Sequence, residues 1–112
     1  MSQEIKLIVF PVKDLASAKQ LYGAFLGVQP YVDAPYYVGY KVGDLEVGLD
    51  PHGSSAGPIT YRDVSDIQAS LQALLDAGAE TVQSIKDVGS GLLIATVKDA
   101  NGSVVGLRQS PF

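Results

Sequence analysis

The chain has one histidine and no cysteine, so His52 is its only side chain whose unperturbed pKa lies near neutrality and is the natural candidate for proton transfer. It sits in Asp50-Pro-His-Gly-Ser, a composition equally suited to a solvated loop. Tyr31, Tyr36, Tyr37 and Tyr40 crowd one short stretch and Tyr61 follows, so five of the six tyrosines fall in one part of the chain. Flat rings with hydroxyl tips suit a planar or heteroaromatic ligand, with Tyr36 and Tyr61 the favoured contacts and Tyr61 also a candidate partner of His52 in acid–base work. The same rings suit half-buried strands and subunit contacts. Arg108 can clamp an anion through parallel N–H groups, or pair with a carboxylate such as Asp50 or Glu46. With no Cys and one His, only carboxylates remain to build a transition-metal centre, and a four-ligand zinc site is not expected. Three further patterns carry no chemistry. No Ser-His-Asp arrangement can be assigned. Asn101-Gly-Ser103 lies in a predicted hairpin, and Gly89-Ser-Gly91 precedes a strand rather than a helix N-terminus.

At 112 residues, with 46% hydrophobic and 18% charged residues, the chain holds one packed domain spanning 1–112. The net charge of −4 and the scattered basic residues argue against nucleic acid as a partner. No apolar run approaches the roughly 18 to 20 residues of a membrane span. The start of the chain lacks a secretory pattern, so no membrane partner and a cytoplasmic location are expected, in keeping with the absence of cysteine.

The elements that must position these residues repeat. Residues 5–12 are β-branched and apolar, which predicts a strand; Asp14 offers a helix cap, Leu15, Ala18, Leu21, Tyr22, Phe25 and Leu26 recur at helical spacing, and Gly27 closes the helix. Turn residues then divide 28–50 into runs at Val28–Val32, Tyr36–Val42 and Leu45–Asp50. After a Gly/Ser-containing connection at 51–57 the order restarts: Ile59–Val64, a helix capped by Asp66 and closed by Gly78, then Glu80–Lys86, Leu92–Lys98 and Ser103–Gln109. Val12-Lys-Asp-Leu15 answers Val64-Ser-Asp-Ile67, and Val47-Gly-Leu49 answers Val105-Gly-Leu107. The pattern predicts an α+β chain of two tandem βαβββ modules, at about 4–50 and 58–110, derived from one duplicated unit.

Those paired motifs, with Ala18-Lys-Gln-Leu-Tyr22 and Leu26-Gly27 in one half and Ala77-Gly-Ala79 and Lys98-Asp-Ala-Asn-Gly102 in the other, resemble the vicinal oxygen chelate superfamily of glyoxalase I, bleomycin-resistance proteins and extradiol dioxygenases. The resemblance covers nearly the whole chain. It implies a curved, U-shaped mixed sheet with helices outside, two modules meeting around a ligand cavity, and a homodimer. In metal-binding members the ligands come from the first and last strand of each module. Carried onto this chain those positions are Leu7, Gly48, Ile59 and Gly106, none of which has a donor side chain. A shift of one or two residues brings in Glu46 or Asp50 but leaves Leu7 and Ile59 apolar, so no metal and no other cofactor is expected.

Period-two alternation sets Leu7 beside Ile5 and Val9, Gly48 beside Glu46 and Asp50, Ile59 beside Tyr61 and Asp63, and Gly106 beside Val104 and Arg108. A ligand site is therefore expected from Leu7, Val9, Tyr36, Glu46, Gly48, Asp50, Ile59, Tyr61, Asp63, Gly106 and Arg108, the two glycines opening volume where metal ligands would stand. Three functions fit. The first is metal-free binding of a small organic molecule, such as an antibiotic or aromatic metabolite, with the acidic balance favouring a cation. The second is a lyase, isomerase or dioxygenase-type enzyme of the same superfamily, and the third a dimeric module with a vestigial pocket.

Overall fold

The computed structural model describes residues 4–52 and 57–111; the middle of the connection expected at 51–57 lies outside the described residues. Two compact units follow: Lys6–Ile59, and Thr60 onward together with Glu4 and Ile5. The second gains the start of the chain because the backbone N–H of Asp63 donates to the carbonyl of Glu4 at 2.9 Å.

The first unit comprises β1 (Ile5–Pro11), α1 (Leu15–Leu26), β2 (Val32–Ala34), β3 (Tyr37–Val42) and β4 (Leu45–Asp50). Its strands lie in the order β2-β3-β4-β1, with β1 parallel to β4 and the other pairs antiparallel. A parallel pair needs a long crossover, which α1 begins. Asp14 starts that helix by accepting from Ser17 N–H at 3.1 Å, and Gly27, at φ 73°, ends it where a side chain would be strained. Val38, Tyr40, Val47 and Leu49 point towards the helix and bury against Ala18. One strand differs from expectation: β2 begins at Val32 rather than ending there. Pro30 has no N–H for a ladder, while Tyr31 N–H donates to the Gly39 carbonyl and Val32 and Ala34 pair with Gly39 and Tyr37, so the hairpin closes around Pro35-Tyr36.

The second unit repeats the plan with β5 (Ile59–Asp63), α2 (Ile67–Asp76), β6 (Glu80–Asp87), β7 (Leu93–Lys98) and β8 (Val104–Gln109), ordered β5-β8-β7-β6, with β5 parallel to β8. Val64, Ile67, Ala95 and Leu107 form its core. Asp66 caps α2 through Ala69 N–H at 3.1 Å, and the side-chain carbonyl of Gln109, at the end of β8, accepts from Ile67 N–H at 2.7 Å. The chain thus has the expected α+β class, with eight strands and two helices among the described residues.

Leu49 is fully buried, so Leu49→Ala should destabilise the protein by about 2–5 kcal/mol, whereas Asp66→Ala should cost about 1 kcal/mol; urea unfolding monitored by circular dichroism reads both. A pH effect also follows. The buried Tyr40 hydroxyl donates to the Lys19 carbonyl at 2.9 Å, and burial pushes its phenol above the usual value, with the Lys19 charge opposing and Asp33 adding. The unfolded phenol loses its proton near pH 10 while the folded one keeps it, so above about pH 10 the unfolded state binds fewer protons and stability falls as pH rises. Tyr40→Phe should flatten that part of the stability–pH curve.

Candidate ligand-binding faces

Along the strands of each unit, alternate residues face the helix and the rest form a second face. In the first unit the second face carries Leu7 and Val9 from β1, Glu46, Gly48 and Asp50 from β4, and Tyr37, Gly39 and Lys41 from β3. The register sets Leu7 beside Glu46, Val9 beside Gly48, and Gly48 beside Gly39. The two paired glycines are covered. A Cβ on Gly48 would fall 2.6 Å from Cζ of Tyr37, and one on Gly39 would lie 3.1 Å from the Tyr31 ring and 3.2 Å from the Tyr37 ring. Tyr37 thus fills the space a side chain at Gly48 would need. Glu46 accepts a hydrogen bond from the Tyr31 hydroxyl, and the Lys41 ammonium lies 4.7 Å from the Tyr31 ring centroid.

In the second unit the corresponding face carries Tyr61 and Asp63 from β5, after Ile59 at that strand's start, Val104, Gly106 and Arg108 from β8, and Ile94, Thr96 and Lys98 from β7. Tyr61 pairs directly with Gly106, and a Cβ there would run into the Tyr61 ring, within 3.0 Å of its Cγ. Both glycines expected to open volume are instead covered by aromatic rings. Pocket space was the wrong inference because glycine in a strand also admits the close approach of a neighbouring side chain.

Arg108 donates from Nε to Asp63 Oδ1 at 2.7 Å and from Nη2 to Oδ2 at 3.2 Å. This two-pronged pair replaces the expected Asp50 or Glu46 partner, since the parallel register of β5 and β8 sets Asp63 next to Arg108 on one face. Asp50 is occupied elsewhere, accepting from the backbone N–H of His52 at 2.8 Å and shaping the exposed turn on which His52 sits. Tyr36 lies in the β2–β3 turn and is 66% exposed. Its neighbour Tyr37, which the sequence did not single out, is the residue on the sheet face. Strand alternation from Gly39 sets Tyr37 on that face.

The metal that the resemblance implies has no fit to these side chains. Leu7, Gly48, Ile59 and Gly106 offer no donor, and tyrosine rings occupy the space over both glycines. Among the described residues no three of His, Asp and Glu gather closely enough to hold a cation. The described residues also include an open cleft of about 460 Å³ along α1, bounded by Lys19, Gln20, Gly23 and Tyr40, away from the expected site residues.

No protein-family model matches the sequence, and no curated protein matches it. Solved structures do. A hypothetical protein of Bacillus halodurans C-125 superposes with a TM-score of 0.76 at 14% identity, covering 97% of this chain and 95% of its own. A glyoxalase/bleomycin resistance protein/dioxygenase superfamily member of Vibrio splendidus 12B01 gives 0.72 at 15% identity, over 92% of this chain and 95% of its own. Methylmalonyl-CoA epimerase of Mycobacterium tuberculosis gives 0.70 at 20% identity, over 98% and 90%. The fold is therefore that of the vicinal oxygen chelate superfamily.

Gly106→Ala should overpack the Tyr61 ring and cost about 1–3 kcal/mol. The penalty should shrink when the same substitution is made in a Tyr61→Ala background, a coupling that a double-mutant unfolding cycle measures directly.

Proposed function

We propose that the protein binds a small organic molecule without a metal, on the tyrosine-bearing sheet faces that also carry Leu7, Val9, Gly48, Tyr61 and Gly106. The observation that carries this reading is the tyrosine seated on a glycine in each unit, Tyr37 on Gly48 and Tyr61 on Gly106. Tyr37 is half-buried and keeps ring surface and a hydroxyl suited to stacking on a planar ligand, whereas Tyr61 is buried and supports the second face from within. Glu46, Asp50 and Asp63 add negative charge to those faces, which favours a cationic ligand. The Asp63–Arg108 pair serves to hold Tyr61's strand beside Gly106, and Arg108 meets the ligand at its edge. A cytoplasmic homodimer completes the proposal. Leu21 and Phe25, 65% and 77% exposed on α1, supply apolar surface for the second copy.

Protein purified without chelator should hold substoichiometric metal. In a thermal-shift screen of aromatic and cationic antibiotics and metabolites, at least one compound should raise Tm equally with and without EDTA. At about 100 times Kd the gain amounts to about 2.7 kcal/mol. Tyr37→Ala should weaken that compound's binding. A tightly held divalent ion needed for binding would overturn the reading. So would turnover, read for instance as solvent deuterium entering methylmalonyl-CoA at its α-carbon. An isomerase would then take its place, with His52→Ala testing the histidine as base.

A further inference from the structure

The hairpin that joins β7 to β8 holds the chain's single asparagine, Asn101, with Gly102 directly after it. As a sequence pattern these residues mark a turn; the structure gives them a chemistry. Asp99 builds the turn. Its backbone N–H donates to the Ser103 carbonyl at 3.0 Å, and its own carbonyl accepts from Gly102 N–H at 3.1 Å. Its carboxylate Oδ1 accepts from Asn101 N–H and from Ser103 N–H, each at 2.9 Å. The Asn101 side-chain amide takes no part in these bonds and has no hydrogen-bond partner among the described residues. Residues 99–103 are all exposed, so water reaches every atom of the turn.

An asparagine side chain reacts with the main-chain nitrogen that follows it when that nitrogen reaches its Cγ. The nitrogen bonds to Cγ and gives up its proton, the Cγ–Nδ2 bond breaks, and ammonia leaves behind a cyclic imide. Water then opens the ring. Attack at Cγ gives aspartate, and attack at the main-chain carbonyl carbon gives isoaspartate, whose main chain runs through the side-chain carbon. One water is consumed and one ammonia released, with no oxidant or cofactor. The usual obstacle is the side chain of the following residue, which crowds the nitrogen and limits its rotation. Gly102 has none, and its φ of 84° lies where other residues are strained. The turn thus demands at this position the residue type that leaves the nitrogen most accessible. What restrains the reaction is the Gly102 N–H bond to the Asp99 carbonyl, and an exposed turn outside the core opens at little cost.

We propose that Asn101 is a modification site, at which the folded protein converts asparagine to isoaspartate and aspartate without an enzyme. Aspartate puts a second carboxylate two residues from Asp99. Isoaspartate lengthens the main chain by one atom inside a turn whose hydrogen bonds depend on its length. That turn closes on the Lys98–Val104 pair, the last rung of the β7–β8 ladder, so the change loosens this end of the hairpin. The inference does not rest on the ligand or the sheet faces of the proposed function.

The test is incubation of the full chain in ¹⁸O-labelled water at neutral pH, with samples taken over weeks. Each sample is digested by trypsin in ordinary water, and the peptide 99–108, released by cuts after Lys98 and Arg108, is followed by mass spectrometry. Ring opening during the incubation should leave one ¹⁸O in that peptide, in two chromatographically separate products, isoaspartate and aspartate. Asn101→Gln, an exposed change whose ring would be one atom larger, should lose the label. Asp99→Ala removes the carboxylate that holds two N–H groups of the turn and should speed the conversion. Leu49→Ala lowers global stability without touching the turn and should leave the rate as it was. A folded chain that stays unlabelled while the same chain in urea converts would overturn the proposal. So would acceleration by Leu49→Ala, which would mean that the reaction runs through global unfolding, or label retained in Asn101→Gln.

Discussion

The parallel pairing of the first and last strand in each unit is the constraint from which the rest follows. Such a pair cannot be closed by a tight turn, and in each unit the crossover is a helix followed by two strands that pair antiparallel. The pairing also fixes neighbours. Val9 lies beside Gly48, Tyr61 beside Gly106 and Asp63 beside Arg108, because a parallel register leaves no freedom to slip without turning the hydrophobic set away from the helix.

Within that frame both units treat the last-strand glycine alike, though by different routes. Gly48 is covered from the antiparallel side by Tyr37 of β3, and Gly106 from the parallel side by Tyr61 of β5. Backbone and ring approach closely in both places because no Cβ intervenes. The result is a tyrosine ring set against a glycine in each unit, and it is the physical basis for proposing that the protein binds organic molecules.

The sequence by itself determined the element order, both helix starts and the duplication, since these rest on local signals. Asp14 and Asp66 cap wherever their helices begin, Gly27 takes a left-handed conformation that other residues resist, and the apolar spacing assigns each strand its helix-facing residues. That Leu7, Gly48, Ile59 and Gly106 carry no donor side chain is likewise a matter of residue type alone. The partners of those residues were decided only in three dimensions. Whether a strand glycine opens a hole or admits a ring depends on which side chain lies over it, and that neighbour comes from another strand. The tyrosine over Gly48 was decided by where the β2–β3 turn closes, and the carboxylate that holds Arg108 by the register of two strands 45 residues apart, which no local pattern encodes.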